Sequence, residues 1–209
     1  MLRQISFSVD TGTVALVVGP DVAAHTTLLQ VLAGQLIPTG GRVRICGLDV
    51  RTARLAAAER TGYVPARVPD GGHMRVADLL GFALRARALA ANTGESRLAD
   101  VVARCHLGDH LDVAWSALDE GQQRQVALAL VLLHDPDVLL LDRTLDGLDA
   151  PARARLLAVL DGLRATHTIL LTTASAHVDG LGATQALYVE DGHLRYDGPV
   201  AGLSRSARA

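Results

Sequence analysis

An unbroken run of apolar residues, Val138 to Leu141, leads straight into an acid, Asp142. A strand with no polar alternation is covered on both faces, which marks a parallel sheet held between helices. An acid at the C-terminal end of such a strand lies where open α/β sheets bind ligands. Upstream, a polar stretch from Leu118 to Gln122 opens a segment whose apolar residues run through Val126, Leu128, Ala129, Leu130, Leu132 and Leu133. That spacing reads as a helix. His134-Asp135-Pro136 ends it, because the proline ring disfavours a helical conformation at Asp135. The stretch from Trp115 to Asp149 therefore predicts helix, turn, buried strand, acid and polar loop, and with them an α/β fold.

The rest of the chain repeats the theme. Ile5, Phe7 and Val9 alternate with polar residues and predict a half-buried strand. Val14 to Val18 reads as a buried strand, Gly19-Pro20-Asp21 as its exit, and Thr26 to Ala33 as a helix closed by Gly34. Strand, glycine-led loop and helix make the architecture of a phosphate-binding loop. The pattern G-x-x-x-x-G-K-[ST] uses glycines to aim backbone N–H groups at phosphate oxygens, a lysine to neutralise them and a hydroxyl to hold Mg²⁺. Here Gly19 and Thr26 fit, followed by Thr27, but the second glycine is Ala24 and the lysine is His25. Taken alone, the loop reads equally as an ordinary strand-to-helix turn. A histidine near its usual pKa of ~6.5 is mostly neutral at neutral pH and shorter than lysine. The free N–H groups of the helix N-terminus leave weak anion binding open.

Further on, Pro38-Thr39-Gly40-Gly41 predicts a turn before Val43-Arg44-Ile45. Val76 to Ala90 and Arg97 to Cys105 predict amphipathic helices joined through Asn92-Thr93-Gly94. A helix over Pro151 to Leu163 and a buried strand over Thr168 to Leu171 complete the pattern. Composition narrows the partners. The formal net charge of -2 gives no general attraction to nucleic acid. All the basic residues are arginine, so no lysine anywhere can serve a phosphate. Cys46 and Cys105 lack metal-type spacing. The longest apolar run, Val126 to Leu133, falls far short of the ~20 residues that span a bilayer. With no signal pattern at the N-terminus, these features predict a soluble cytoplasmic chain, with any membrane spans supplied by another chain.

Trp115 to Asp149 resembles the signature-to-Walker-B segment of ATP-binding cassette (ABC) proteins, whose pattern is LSGGQ, helix, apolar strand, DEP and SGLD. Leu118, Asp119, Glu120, Gly121 and Gln122 stand for the first, Asp142-Arg143-Thr144 for DEP, and Asp146, Gly147, Leu148 and Asp149 for the D-loop. Gly19 to Thr27 matches the Walker A in position, and Pro38 to Asp49 resembles the family's PTSGxVxxxGxD hairpin. Gly62-Tyr63-Val64-Pro65 resembles the strand before the Q-loop, with Ala66 in place of its glutamine. The likeness runs from about Leu2 to Leu203. It implies a P-loop NTPase-like core with a mixed or parallel sheet, an N-terminal antiparallel β subdomain and a helical subdomain. The implied division is a core of residues 1–66 and 136–203, a helical subdomain of 67–135 and a tail of 204–209.

The resemblance also implies two such domains, identical or different, paired head to tail. ATP and Mg²⁺ would then lie between one chain's Walker motifs and the other's signature. A separate transmembrane subunit would hold the pair at the inner face of the cell membrane. On that template the nucleotide-binding positions are Gly19, Ala24, His25, Thr26, Thr27 and Asp142, with Thr26 and Asp142 on the Mg²⁺ side. No catalytic position is intact. Arg143 replaces the glutamate that polarises water, Ala66 the Q-loop glutamine and Ala174 the switch histidine, with His177 reachable only through a gap. Arg143 stays protonated and cannot act as a base; it either pairs with an acid or offers its charge to a phosphate. Asp119 and Glu120 replace a serine and a glycine that donate to the γ-phosphate, and Glu120 is a candidate cap for its helix. A carboxylate about 4 Å from a phosphate at an effective dielectric near 20 costs about 4 kcal/mol before screening. Three expectations follow: a non-catalytic or weakly hydrolytic transporter subunit, a nucleotide-independent scaffold or regulatory module, or an active ATPase in which Arg143 and His25 compensate.

Overall fold

The computed structural model describes residues 2–86, 91–174 and 180–203. Its contacts divide the chain into two compact units. One is built from the residues up to Ala66, Pro136–Asp146 and the residues from Leu163 onward, the other from Arg67–Asp135 and Gly147–Gly162.

The strands of the first unit are β1 (Val14–Val18), β2 (Arg44–Ile45), β3 (Leu48–Asp49), β4 (Thr61–Val64), β5 (Val138–Asp142), β6 (Thr168–Thr172), β7 (Gln185–Glu190) and β8 (His193–Pro199). Six of them form one sheet in the order β4-β5-β6-β1-β7-β8, while β2 and β3 pair as a small antiparallel hairpin. The large sheet is parallel except for β8, which returns antiparallel beside β7. Every residue of β1, β5 and β6 is buried, as expected of central parallel strands. Helix α1 (Val22–Leu32) sends Ala24, Leu28 and Leu29 into the core formed with Ala15, Val17, Leu140 and Leu187, and α2 (Arg54–Glu59) adds Ala57. Helix α1 begins ahead of the apolar pattern because the Asp21 side chain caps it. Gly34 takes φ +69 just beyond its end, a conformation that glycine adopts without strain.

The expected first strand does not form. Ile5, Phe7 and Val9 pack against the core, but the segment pairs with no strand. Gln4 turns the chain with φ +51, and among the described residues Arg3 N donates to Gly192 O (2.7 Å) and Gln185 Nε2 donates to Ser8 O (2.9 Å). Alternation specifies which side chains are buried; a ladder also needs a neighbour in register.

The second unit contains α3 (Val76–Ala86), α4 (Ala91–Arg104), α5 (Glu120–Leu132) and α6 (Ala150–Leu163, which runs on to the first residue of the other unit). Asn92-Thr93-Gly94 lies inside α4 and is not the predicted turn. The buried Gly94 lies against Leu84, so the absent side chain lets α3 and α4 approach. That contact outweighs the roughly 1 kcal/mol that glycine costs a helix. The predicted extension of α3 over residues 87–90 lies outside the described residues, as does the tail over 204–209. No described helix is long and apolar enough to cross a membrane.

Leu140 at the centre of β5 is fully buried. Leu140→Ala is expected to cost about 2–5 kcal/mol, seen as a lower urea midpoint at unchanged m-value.

Candidate functional site

The parallel register pairs Asp142 at the end of β5 with Thr172 at the end of β6. Asp142 is fully buried, and its Oδ1 accepts a hydrogen bond from Thr172 Oγ1 at 2.7 Å. Its Oδ2 is buried with no hydrogen-bond partner among the described residues. Thr172 also receives the Arg143 backbone N–H, at 2.9 Å, which fixes the chain as it leaves β5. Tyr63 on β4 reports the acid's charge: burial first, and then the nearby Asp142 carboxylate, push its phenol up to about 12.

Gly19 leaves β1 with φ +144. A Cβ there would overlap the Val189 carbonyl oxygen and stand 3.2 Å from His25 Nε2. Only glycine fits. His25 is 1% exposed, and its Nε2 has no hydrogen-bond partner. Burial holds its pKa below the usual 6.5, against the opposing pulls of Asp21, the Val18 carbonyl, Asp142 and Asp146. The ring is therefore neutral near pH 7 and carries no charge to a phosphate. Ala24 is buried behind it. The N-terminus of α1, which the sequence leaves open to anions, is taken: Ala24 N donates to Asp21 Oδ1 at 3.1 Å and to Asp21 O at 3.1 Å. The Thr27 hydroxyl turns back to Ala23 O at 2.7 Å, while Thr26 is half-buried. Asp21 is a helix cap that pattern matching missed; its signal was an acid directly before a helix.

Arg143 adopts φ +51, and its Nε donates to Asp146 Oδ2 at 3.2 Å. An acid it pairs with is thus the neighbouring Asp146. Asp146 also accepts from Thr173 Oγ1 at 2.8 Å and from the Ala174 backbone N–H at 3.2 Å. Ala174 brings no side-chain donor, and His177 lies outside the described residues.

In the second unit the cap of α5 is Asp119, and Glu120 is its first helical residue. Asp119 Oδ1 accepts from Gln122 N at 2.8 Å and the Gln122 side chain accepts from Asp119 N at 2.8 Å, a reciprocal capping box. Arg155 on α6 pairs with Asp119 at 3.2 Å, and Arg124 pairs with Glu120. Each acid thus has its own cation, which reduces the repulsion calculated from bare carboxylates. The Arg155–Asp119 pair is exposed and of little worth to stability. Gly121 lies against Ala152 of α6, Leu118 is buried, and Asp149 Oδ1 caps α6 through Ala152 N at 2.8 Å. Gly147 turns the D-loop with φ +76 between Asp146 and Leu148-Asp149.

Asp142 Oδ2 is an unfilled oxygen ligand of the kind a hard cation takes, with the Thr26 hydroxyl as the second candidate. No group of three or more His, Cys, Asp or Glu among the described residues makes a metal site alone. A cation here needs further oxygens from a nucleotide or water. The metal half of a Mg-nucleotide site fits; the phosphate half lacks its cation and has a carboxylate across its helix N-terminus.

Two substitutions test this geometry. Gly19→Ala is expected to destabilise the chain by about 1–3 kcal/mol through forced backbone strain, read by urea unfolding. Asp119→Ala is expected to cost about 0.5–2 kcal/mol through the lost cap.

Residues 2–145 match the family model described as ABC transporter. The sulfate/thiosulfate import ATP-binding protein CysA of Salmonella typhi is 35% identical over 164 residues, covering 75% of this chain and 44% of that protein. A putative ABC transporter ATP-binding protein of Streptomyces coelicolor is 31% identical over 202 residues, covering 96% of this chain and 35% of that protein. The chain thus spans less than half the length of these relatives. Among solved structures, cbiO1 of Clostridium perfringens, part of the ABC transporter complex cbiONQ, superposes with a TM-score of 0.86 at 22% identity, covering 98% of this chain and 84% of that one. An ATP-binding subunit of an ABC transporter superposes with a TM-score of 0.83 at 21% identity, covering 98% and 85%. With its Walker-type loop, its buried Asp142 and these relatives, the chain belongs to the ABC transporter family, among its ATP-binding subunits.

Proposed function

We propose that this chain is the ATP-binding-cassette subunit of a transporter, with hydrolysis lost or reduced to background. It works at the inner face of the membrane through a separate transmembrane subunit and pairs with a second cassette domain. The observation that carries the loss of hydrolysis is the fate of Arg143. The position that supplies the water-polarising glutamate in the family pattern holds a permanently protonated guanidinium, and that group is tied to Asp146. The other departures agree. His25 is neutral and buried where a lysine is required, and Ala66 and Ala174 offer methyl groups where the pattern has polar side chains. Asp142 with its open Oδ2, and Thr26 beside the loop, are the residues that would hold Mg²⁺. Bound nucleotide and metal would supply the phosphate oxygens and charge that order the loop. This chain's residues orient them and provide no base.

A second reading has its own support. The N–H at the start of α1 is occupied by the chain's own Asp21 carboxylate, as a nucleotide-independent scaffold requires.

Calorimetric titration of the purified chain with Mg-ATP, alongside Asp142→Ala, separates the two. The expected result is weak binding, in the millimolar range, that disappears in Asp142→Ala, with no turnover. Absence of binding, together with retained capture of the transmembrane subunit, selects the scaffold. Mg-dependent hydrolysis in a single-turnover assay, abolished by Asp142→Ala, would overturn the proposed loss of activity.

A further inference from the structure

Two departures from the family pattern meet in one ion pair. Arg143 stands for a glutamate and Asp146 for the serine of SGLD, and the two pair at 3.2 Å. Asp146 receives more than the guanidinium. Its Oδ1 accepts from Thr173 Oγ1 at 2.8 Å, and its Oδ2 accepts from Ala174 N at 3.2 Å as well as from Arg143 Nε at 3.2 Å. A hydroxyl, a backbone N–H and a guanidinium converging on one group form the donor set that receives a phosphoryl oxygen. The Asp146 side chain is only 13% exposed, while its partner Arg143 is 43% exposed and Ala174 lies at the surface, so the donors can be reached from solvent. The receptor stands at the C-terminal edge of β5 and β6, where this sheet class binds ligands, and Asp146 lies within electrostatic reach of His25 in the Walker-type loop. The short turn from Arg143 to Asp146, closed by Asp146 N donating to Arg143 O at 3.0 Å, holds the acid in place without any ligand.

We infer that Thr173 Oγ1, the Ala174 N–H and Arg143 Nε form an anion receptor that Asp146 fills from within, so that the chain carries an internal substitute for a phosphate group. This inference rests on reading the site as a phosphate site. Its consequence is regulatory: the loops leaving β5 and β6 are tied together whether or not nucleotide is present. An incoming phosphate meets a carboxylate already seated on the donors it needs.

The test uses the full chain and inorganic phosphate as the probe. Thermal unfolding is followed against added phosphate, with sodium chloride at matched ionic strength as the control. In the unsubstituted chain the midpoint does not respond to phosphate beyond the salt control. Asp146→Ser empties the receptor while restoring the residue of the family pattern. Its midpoint starts lower and rises saturably with phosphate. Asp146→Asn keeps an acceptor for Thr173 but removes the charge, and it gains the same response with a smaller initial loss, which covers the case in which the serine variant does not fold. Adding Arg143→Ala to either variant removes the response. In calorimetry, Asp146→Ser binds Mg-ATP about tenfold or more tighter than the unsubstituted chain, the equivalent of one regained charge-assisted hydrogen bond. Variants that lose stability but ignore phosphate would show Asp146 to be a structural staple only and overturn the inference. An equal phosphate response in the unsubstituted chain would overturn it as well. The outcomes separate from those of the functional reading. Asp142-dependent ATP binding with phosphate-blind Asp146 variants sinks only the receptor. A phosphate response without Asp142-dependent ATP binding sinks only the nucleotide role.

Discussion

Parallel pairing of β5 with β6 sets Asp142 opposite Thr172 and puts a hydroxyl 2.7 Å from a fully buried carboxylate. A buried polar group needs a hydrogen-bond partner, and Thr172 supplies it to one of the two Asp142 oxygens. The same threonine takes the backbone N–H of Arg143, so the exit from β5 is fixed by the residue that steadies the acid. The position of the Arg143 turn, the reach of Asp146 to Thr173 and Ala174, and the charge felt by His25 all follow from that register. A slip of one residue would turn Asp142 to the other face of the sheet and dissolve the arrangement.

The second theme is electrostatic. Three carboxylates sit where this fold offers donors to anions: Asp21 at the start of α1, Asp119 at the start of α5, and Asp146 on the loops leaving β5 and β6. Each satisfies N–H or O–H groups that would otherwise look outward, and helix N-termini favour negative charge whatever its source. The chain thereby meets its own hydrogen-bonding needs without a polyanion. Arg143 pairs with Asp146, and His25 is buried with its pKa held below the usual value.

Several local assignments failed where a three-dimensional partner decided the outcome. The Ile5–Phe7–Val9 alternation correctly marked a half-buried segment, but no strand lay in register to receive it. Asn92-Thr93-Gly94 carries loop-forming residues, yet packing of Gly94 on Leu84 kept it helical. Glu120 and Asp119 are equally acidic neighbours, and only the backbone geometry, extended at Asp119, picks the cap. Thr172 and Thr173 belong to no recognisable pattern and became visible only through their bonds.

The sequence alone determined the central buried strands, most of the helices and the family resemblance, because continuous apolar strands, glycine-led turns and motif spacing are local properties that survive without their functional side chains. It also determined which chemical groups are missing, since no fold can make an arginine a base or an alanine a donor. Tertiary structure alone decided which acid Arg143 pairs with, that the start of α1 is self-capped, that His25 is uncharged, and that Asp119 and Glu120 each have a cation. Those outcomes depend on distances and burial between residues far apart in the chain, and electrostatic energies are set by distance and dielectric, not by order in the sequence.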